Sequence, residues 1–244
     1  MNPNKFTFII CTNNQTYIDE CITYINLLNV PDGYVYDIIT ITDATSITSG
    51  YNSGQLSTNA KYKIYMHQDV FILNRNFLFD LLTIFNSNAS IGLIGLVGYK
   101  CIPPTGTMWH EKRYGIKHLF GTRRSFPESH YSYSDYSTYT YNYNTDGITN
   151  VVTVDGLMMI TQYDLPWNEL ELKDWDFYDA YQSINYLEHG YDVVVPNQTF
   201  PWIIHDDGQI LSMWNYNQYW NLFLEKYKNY IGLSSKEIQK LQPS

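Results

Sequence analysis

The chain reads as an α/β protein with a mostly parallel central sheet and helices on its faces. Short, continuously apolar runs such as Phe6–Cys11 and Ile91–Val97 fit strands covered on both sides. Between them, apolar residues recur at helical spacing, as at Tyr17, Cys21, Tyr24, Ile25 and Leu28. The first such alternation is a β-α-β unit, which favours parallel pairing through a right-handed crossover.

In chain order, Phe6–Cys11 is the first strand, and the polar break Thr12-Asn13-Asn14 precedes a helix from Gln15 to Leu28. Pro31-Asp32-Gly33 is a turn, and Tyr36–Thr42 a second strand ending at Asp43. Gly50-Tyr51-Asn52-Ser53-Gly54 opens a short polar helix to Asn59. Lys63–Met66 is a third strand, Asn76–Phe85 a helix and Ile91–Val97 a strand. Residues 103–150 break the pattern as one polar, aromatic insertion. Within it, His130–Asn144 alternates Tyr with small polar residues, which suits a strand or hairpin by period and a mobile loop by low complexity. Val151–Ile160 returns to a core strand. Asp174-Trp175-Asp176-Phe177-Tyr178-Asp179 opens a helix reaching Leu187, Gly190 caps it, and Tyr191–Val195 is the last strand. An aromatic helix, 210–230, closes a chain expected to form one domain over 1–244.

A net charge of −9 argues against nucleic acid as a partner. It also means that a bound nucleotide diphosphate needs local help from a metal, a helix N-terminus or a few basic residues. Cys11, Cys21 and Cys101 lack the spacing of a disulfide framework or a zinc knuckle. With no secretory signal and no transmembrane segment in view, the expected location is the cytoplasm.

Chemistry concentrates where apolar runs break. His67-Gln68-Asp69 follows the third strand, at the sheet end where open α/β folds bind ligands. A carboxylate and an imidazole there suit a divalent cation. His67 lies two positions before Asp69 and shares its face if the strand stays extended. Asp43 ends the neighbouring strand, as an acceptor for a base or ribose or as an ordinary strand-end carboxylate. His205 follows another apolar run as a metal-capable imidazole or a structural one. Asp176 and Asp179, three apart, share a helix face, where flanking aromatics would raise a carboxylate toward use as a general base. The helix macrodipole alone also explains acidic residues there. Gly156, after Asp155, allows close backbone approach to a ligand or makes a bulge. Arg123-Arg124 suits a diphosphate clamp or plain surface charge.

Taken together and in this order, these elements resemble inverting family 2 glycosyltransferases of GT-A fold, most of all the small bacterial group related to the streptomycin-biosynthesis protein of the F type. The likeness covers about residues 5–100 and 150–208. It implies nucleotide contacts from Thr12, Asn13, Asn14, Asp43, Asn52 and Gln68, and donor or acceptor contacts from His67, Asp155, Gly156 and Trp175. It places the base at Asp179, with Asp176 the alternative, and metal ligands at Asp69 and His205. His67 stands where the family's Asp-x-Asp element carries its first carboxylate. An added nitrogen there suits Mn²⁺ better than Mg²⁺.

The resemblance implies metal-dependent, inverting transfer of a sugar from a UDP- or GDP-sugar to an acceptor hydroxyl, with the insertion as a lid. The alternative it leaves is a GT-A scaffold that binds nucleotide or carbohydrate without turnover. The C-terminal stripe of Trp214, Tyr216, Tyr219, Trp220, Phe223 and Tyr227 reads as core packing or as a homo-oligomer interface.

Overall fold

The computed structural model describes residues 1–106, 108, 113–124, 132–140, 147–206 and 213–242. The N-terminal half alternates as expected: β1 (Asn2–Cys11), α1 (Gln15–Asn26), β2 (Val35–Ile41), α2 (Ile47–Leu56), β3 (Ala60–His67), β4 (Val70–Ile72), α3 (Phe77–Ser87), β5 (Ile91–Gly95) and β6 (Val97–Tyr99). There follow β7 (Arg113–Arg124), β8 (Ser132–Thr140), β9 (Ile148–Asn150), β10 (Thr153–Val154), β11 (Met158–Thr161), α4 (Tyr178–Glu188), β12 (Asp192–Pro196) and β13 (Ile203–His205). The chain closes with α5 (Met213–Tyr227), a 3₁₀ turn (Lys228–Tyr230) and α6 (Ser235–Lys240).

The larger sheet has the order β2-β1-β3-β11-β5-β12-β9. Among its members β11 and β9 run against the rest, so the sheet is mostly parallel. One core packs Ile18, Cys21 and Ile25 of α1 and Phe77, Leu78 and Leu81 of α3 on one face. A second packs Tyr51 of α2, Tyr181 and Ile184 of α4 and Phe223 of α5 on the other. A smaller sheet, β10-β6-β7-β13-β4 with β8 paired to β7, stands at the carboxyl ends of the first strands.

Two apolar runs expected as single strands are each divided between the sheets. Ile91–Val97 breaks at Leu96 into β5 and β6, and Val151–Ile160 breaks at Asp155-Gly156-Leu157 into β10 and β11. Both halves of each run are buried, so the apolar pattern carries no mark of the change of sheet. Gly95 permits the close packing, since a Cβ there would collide with Val154.

Helix starts also moved. Ser46 caps α2 through a reciprocal box with Ser49, so the helix begins at Ile47 rather than Gly50. Gly50 and Gly54 then lie inside it, where a Cβ would strike Cys11 and Ile9 of β1. The late helix begins at Tyr178, so Asp174–Phe177 form the turn before it and Asp176 does not share a helix face with Asp179. Phe177 takes a left-handed conformation, φ 61°, with its ring packed on Tyr216 and Phe223.

The alternating Tyr segment forms a hairpin over its described part, as β8 pairs antiparallel with β7 from Ser132↔Arg124 to Thr140↔Ile116. His130, Tyr131 and 141–144 lie outside the described residues. In α5, Tyr216, Tyr219, Phe223 and Tyr227 are buried within the chain's own core. Those four rings are therefore core and not a free oligomer surface. No helix among the described residues is long and apolar enough to cross a membrane.

Candidate active site

Two cavities meet at the carboxyl ends of β1, β2 and β3. The first, about 380 Å³, is lined by Cys11, Thr12 and Asn13 after β1, by Ile41, Thr42, Ala44 and Ile47 around the end of β2, and by His67, Gln68 and Asp69 after β3. Trp175 and Tyr178 close it. No lysine or arginine stands among these lining residues.

The turn after β1 is held by one side chain. Gln68 Oε1 accepts from Thr12 Oγ1 at 2.7 Å, from the Asn13 N–H at 3.1 Å and from the Asn14 N–H at 3.0 Å. Gln68 Nε2 donates to Asn13 Oδ1 at 2.8 Å. Asn14 Oδ1 in turn caps α1 by accepting from Thr16 and Tyr17. Asp43 is exposed at the rim, between the lining residues Thr42 and Ala44. Burial pushes the Cys11 thiol up to about 12, which leaves it inert.

Asp69 and His205 meet through sheet register. His205 pairs with Val70 across the β13–β4 ladder, and the Asp206 N–H donates to the Asp69 carbonyl at 2.9 Å. His205 Nε2 lies 3.5 Å and His67 Nδ1 4.0 Å from Asp69 Oδ1. One ligand atom from each of the three residues falls within 4.8 Å of the others. Asp69 Oδ1 and His205 Nδ1 are buried without hydrogen-bond partners. Burial alone would raise Asp69, but the His205 and then the His67 imidazole outweigh it and hold the carboxyl below its ordinary range. An ionised, unsaturated oxygen between two imidazoles is a fitting donor set for a divalent transition metal.

The second cavity, about 200 Å³, is lined by Tyr99, Val154, Asp155, Gly156, Asp176, Asp179 and Tyr216, and shares His67, Trp175 and Tyr178 with the first. Asp179 accepts from the Gly156 N–H at 2.9 Å and from the Ala180 N–H at 2.8 Å. Burial, then the nearby Asp155 charge, push it up to about 7 despite those bonds. Asp176, on the preceding turn, is raised to about 6 by burial and by Asp174.

Asn52, which the resemblance placed at the nucleotide, stands apart from both cavities. Its amide donates to the Trp167 carbonyl at 3.0 Å and to Glu169, and its Oδ1 accepts from the Trp167 N–H at 2.9 Å. It faces a different cavity behind α4 and not the crevice. Gly156 also has another use, since the space its missing side chain leaves is filled by the Tyr178 ring and hydroxyl. Tyr178 was not singled out, although it lines both cavities and its hydroxyl hydrogen-bonds His67 Nε2. A tyrosine in a chain with 24 of them carries no signal of its own.

Several known structures share this fold. Staphylococcus aureus TarS 1–349 in complex with UDP matches 96% of this chain and 68% of its own, with a TM-score of 0.55 at 13% identity. The same protein in complex with UDP-GlcNAc gives a TM-score of 0.56 at 13% identity, covering 96% of this chain and 69% of the other. The chain spans 41% of the longer S. aureus TarS structure. The mannosyltransferase PcManGT from Pyrobaculum calidifontis, in complex with GDP-Man and Mn²⁺, matches 98% of this chain and 69% of its own, with a TM-score of 0.52 at 9% identity. At these identities the likeness shows the fold, which is GT-A. No curated protein matches the chain. The model of a glycosyltransferase-like family matches residues 7–227, and the chain belongs to that family.

Proposed function

We propose that the protein transfers a sugar from a nucleotide-diphosphate donor to an acceptor hydroxyl, with inversion and with a divalent metal. One observation carries this reading. A wall of His67, Trp175 and Tyr178 is common to two cavities, with an ionised Asp69 on one side and a carboxyl titrating near 7, Asp179, on the other.

The first cavity takes the nucleotide. The Thr12–Asn14 turn, held by Gln68, offers backbone and side-chain groups to it, and Asp43 at the rim accepts from base or ribose. With no lysine or arginine among the described residues lining that cavity and a chain charge of −9, the diphosphate needs a cation. Asp69 and His205 would hold it, and when bound it supplies Lewis-acid neutralisation of the leaving diphosphate. Nitrogen donors favour Mn²⁺ over Mg²⁺. The half-exposed Trp175 indole offers a stacking face where the two cavities join.

The second cavity takes the acceptor. Its hydroxyl oxygen attacks the anomeric carbon, the bond from that carbon to the phosphate oxygen breaks, and Asp179 receives the hydroxyl proton. A single displacement inverts the centre. Asp176 would be the base only if Asp179 proves dispensable. The β7–β8 hairpin is suited to cover the bound sugars.

The test is nucleotide release from a panel of UDP- and GDP-sugars with Mn²⁺, and the anomeric configuration of the product by NMR. Metal-dependent release with an inverted product supports the reading. Metal-dependent nucleotide binding without release from any donor would favour the non-catalytic scaffold.

A further inference from the structure

The cavity behind α4 has no part in sugar transfer as proposed above. At about 510 Å³ it is larger than either of the other two. Its floor is one stripe of α4, Tyr178, Tyr181, Gln182 and Asn185, which stand three and four residues apart and share a helix face. Residues 166–170 and, from α5, Lys226 and Tyr227 make the walls. Tyr178 lines all three cavities, so this one lies behind the acceptor cavity along the same helix.

Its polar side chains fall into two groups. Asn52 is spent on the Trp167 backbone and Gln182 on the Leu165 carbonyl at 3.1 Å, so these two hold the walls together. The rest keep hydrogen-bonding capacity. Among the described residues, none bonds the Asn168 amide N–H groups, Asn185 Oδ1 or the hydroxyls of Tyr181 and Tyr227. Glu188 gives one oxygen to the Tyr230 hydroxyl at 2.9 Å and keeps the other. Amides and hydroxyls that between them donate and accept suit sugar hydroxyls, which do both. The tyrosine rings beside them offer an apolar face to the C–H surface of a pyranose. Charge argues against a phosphate. Glu169 and Glu188 line the cavity against one ammonium, Lys226, which Glu171 already holds at 2.7 Å.

We propose that this cavity is a second carbohydrate site, which binds a neutral oligosaccharide and takes no part in the chemistry. The proposal goes beyond the transfer reading, because nothing in it needs Asp69, Asp179 or a metal.

The test is an NMR titration of the isotope-labelled full chain with cellotriose, chitotriose, maltotriose and mannotriose, and with glucose 6-phosphate as the charged control. At least one trisaccharide should move the side-chain amide signals of Asn168 and Asn185, and the sugar phosphate should not. Binding should be the same in Asp69→Ala and in the presence of UDP and Mn²⁺. Asn185→Ala and Glu188→Ala, both at partly exposed positions, should each weaken it roughly 5–30-fold while the melting temperature shows an intact fold. No shift with any of the four trisaccharides overturns the proposal, as does binding that neither variant weakens or tighter binding of the sugar phosphate. Signals that move around Asp179 instead would put the sugar in the acceptor cavity, which overturns this site and leaves the transfer reading standing. Failure of every donor to release nucleotide would do the reverse.

Discussion

The two cavities differ most in what they do to a carboxylate. In the first cavity, the proposed donor side, Asp69 is buried beside imidazoles that hold it below its ordinary range, while in the second, the proposed acceptor side, Asp179 is buried beside Asp155 and driven up to about 7. The difference fits the proposed roles: a carboxylate held below its ordinary range suits a cation, and a carboxyl raised to about 7 can take and release a proton. His67 and Tyr178, linked by a hydrogen bond, stand where the two environments meet.

The sharpest way to break this contrast is Asp179→Asn. Turnover should fall about 10²–10⁴-fold, the usual contribution of a general base. Donor affinity by calorimetry should stay as in the wild type, since Asp179 lines only the second cavity. Unchanged turnover would pass the role to Asp176. The same residue sets the pH response. Activity should fall as pH is lowered through about 7, because Asp179 then takes up a proton. Stability runs the other way. A folded-state value above the ordinary 3.8 means that the native protein binds this proton more tightly than the unfolded chain. That contribution is full below the ordinary value and is lost as pH rises through about 7. Against wild type, Asp179→Asn should therefore gain in melting temperature as pH goes from 5 to 8. A constant difference would mean that Asp179 is not the strained charge.

The grouping of residues around the first cavity was largely legible in the sequence, and the contrast explains why. Its residues follow the ends of the strands β1, β2 and β3, so a strand-and-break pattern is enough to bring Thr12 and Asp69 together with Asp43 at the rim. The acceptor side depends on events with no local signature. Both long apolar runs cross between sheets without a change in hydrophobicity, and the helix carrying Asp179 starts only after the strained Phe177. Tyr178 could have been suspected only by asking what fills the space beside Gly156, which is a question about packing and not about pattern.

A milder test addresses the donor side alone. Gln68→Ala removes the acceptor shared by Thr12, Asn13 and Asn14. Losing that tie should cost the bound state about 1–2 kcal/mol, or roughly 5–30-fold in donor KM. The rate at saturating donor should change little, because the acceptor cavity keeps every one of its lining groups. A fall in kcat equal to the rise in KM would show that the turn acts in the transition state and not in holding the nucleotide.

The smallest expected effect on activity comes from Asn52, the residue that resemblance placed at the nucleotide and the structure places behind α4. Its amide clamps the Trp167 backbone from both sides, and Trp167 packs on Tyr51 and Tyr65. Asn52→Ala should therefore act on stability, by about 1–3 kcal/mol for partly buried groups left without partners. In a chain of this length that is a fall of about 2–4 °C in melting temperature per kcal/mol. Nucleotide affinity and the pH profile should both be those of the wild type. If UDP or GDP binding weakened while the melting temperature held, Asn52 would belong to the donor side after all. The division between a nucleotide crevice at the strand ends and a purely structural clamp behind α4 would then have to be redrawn.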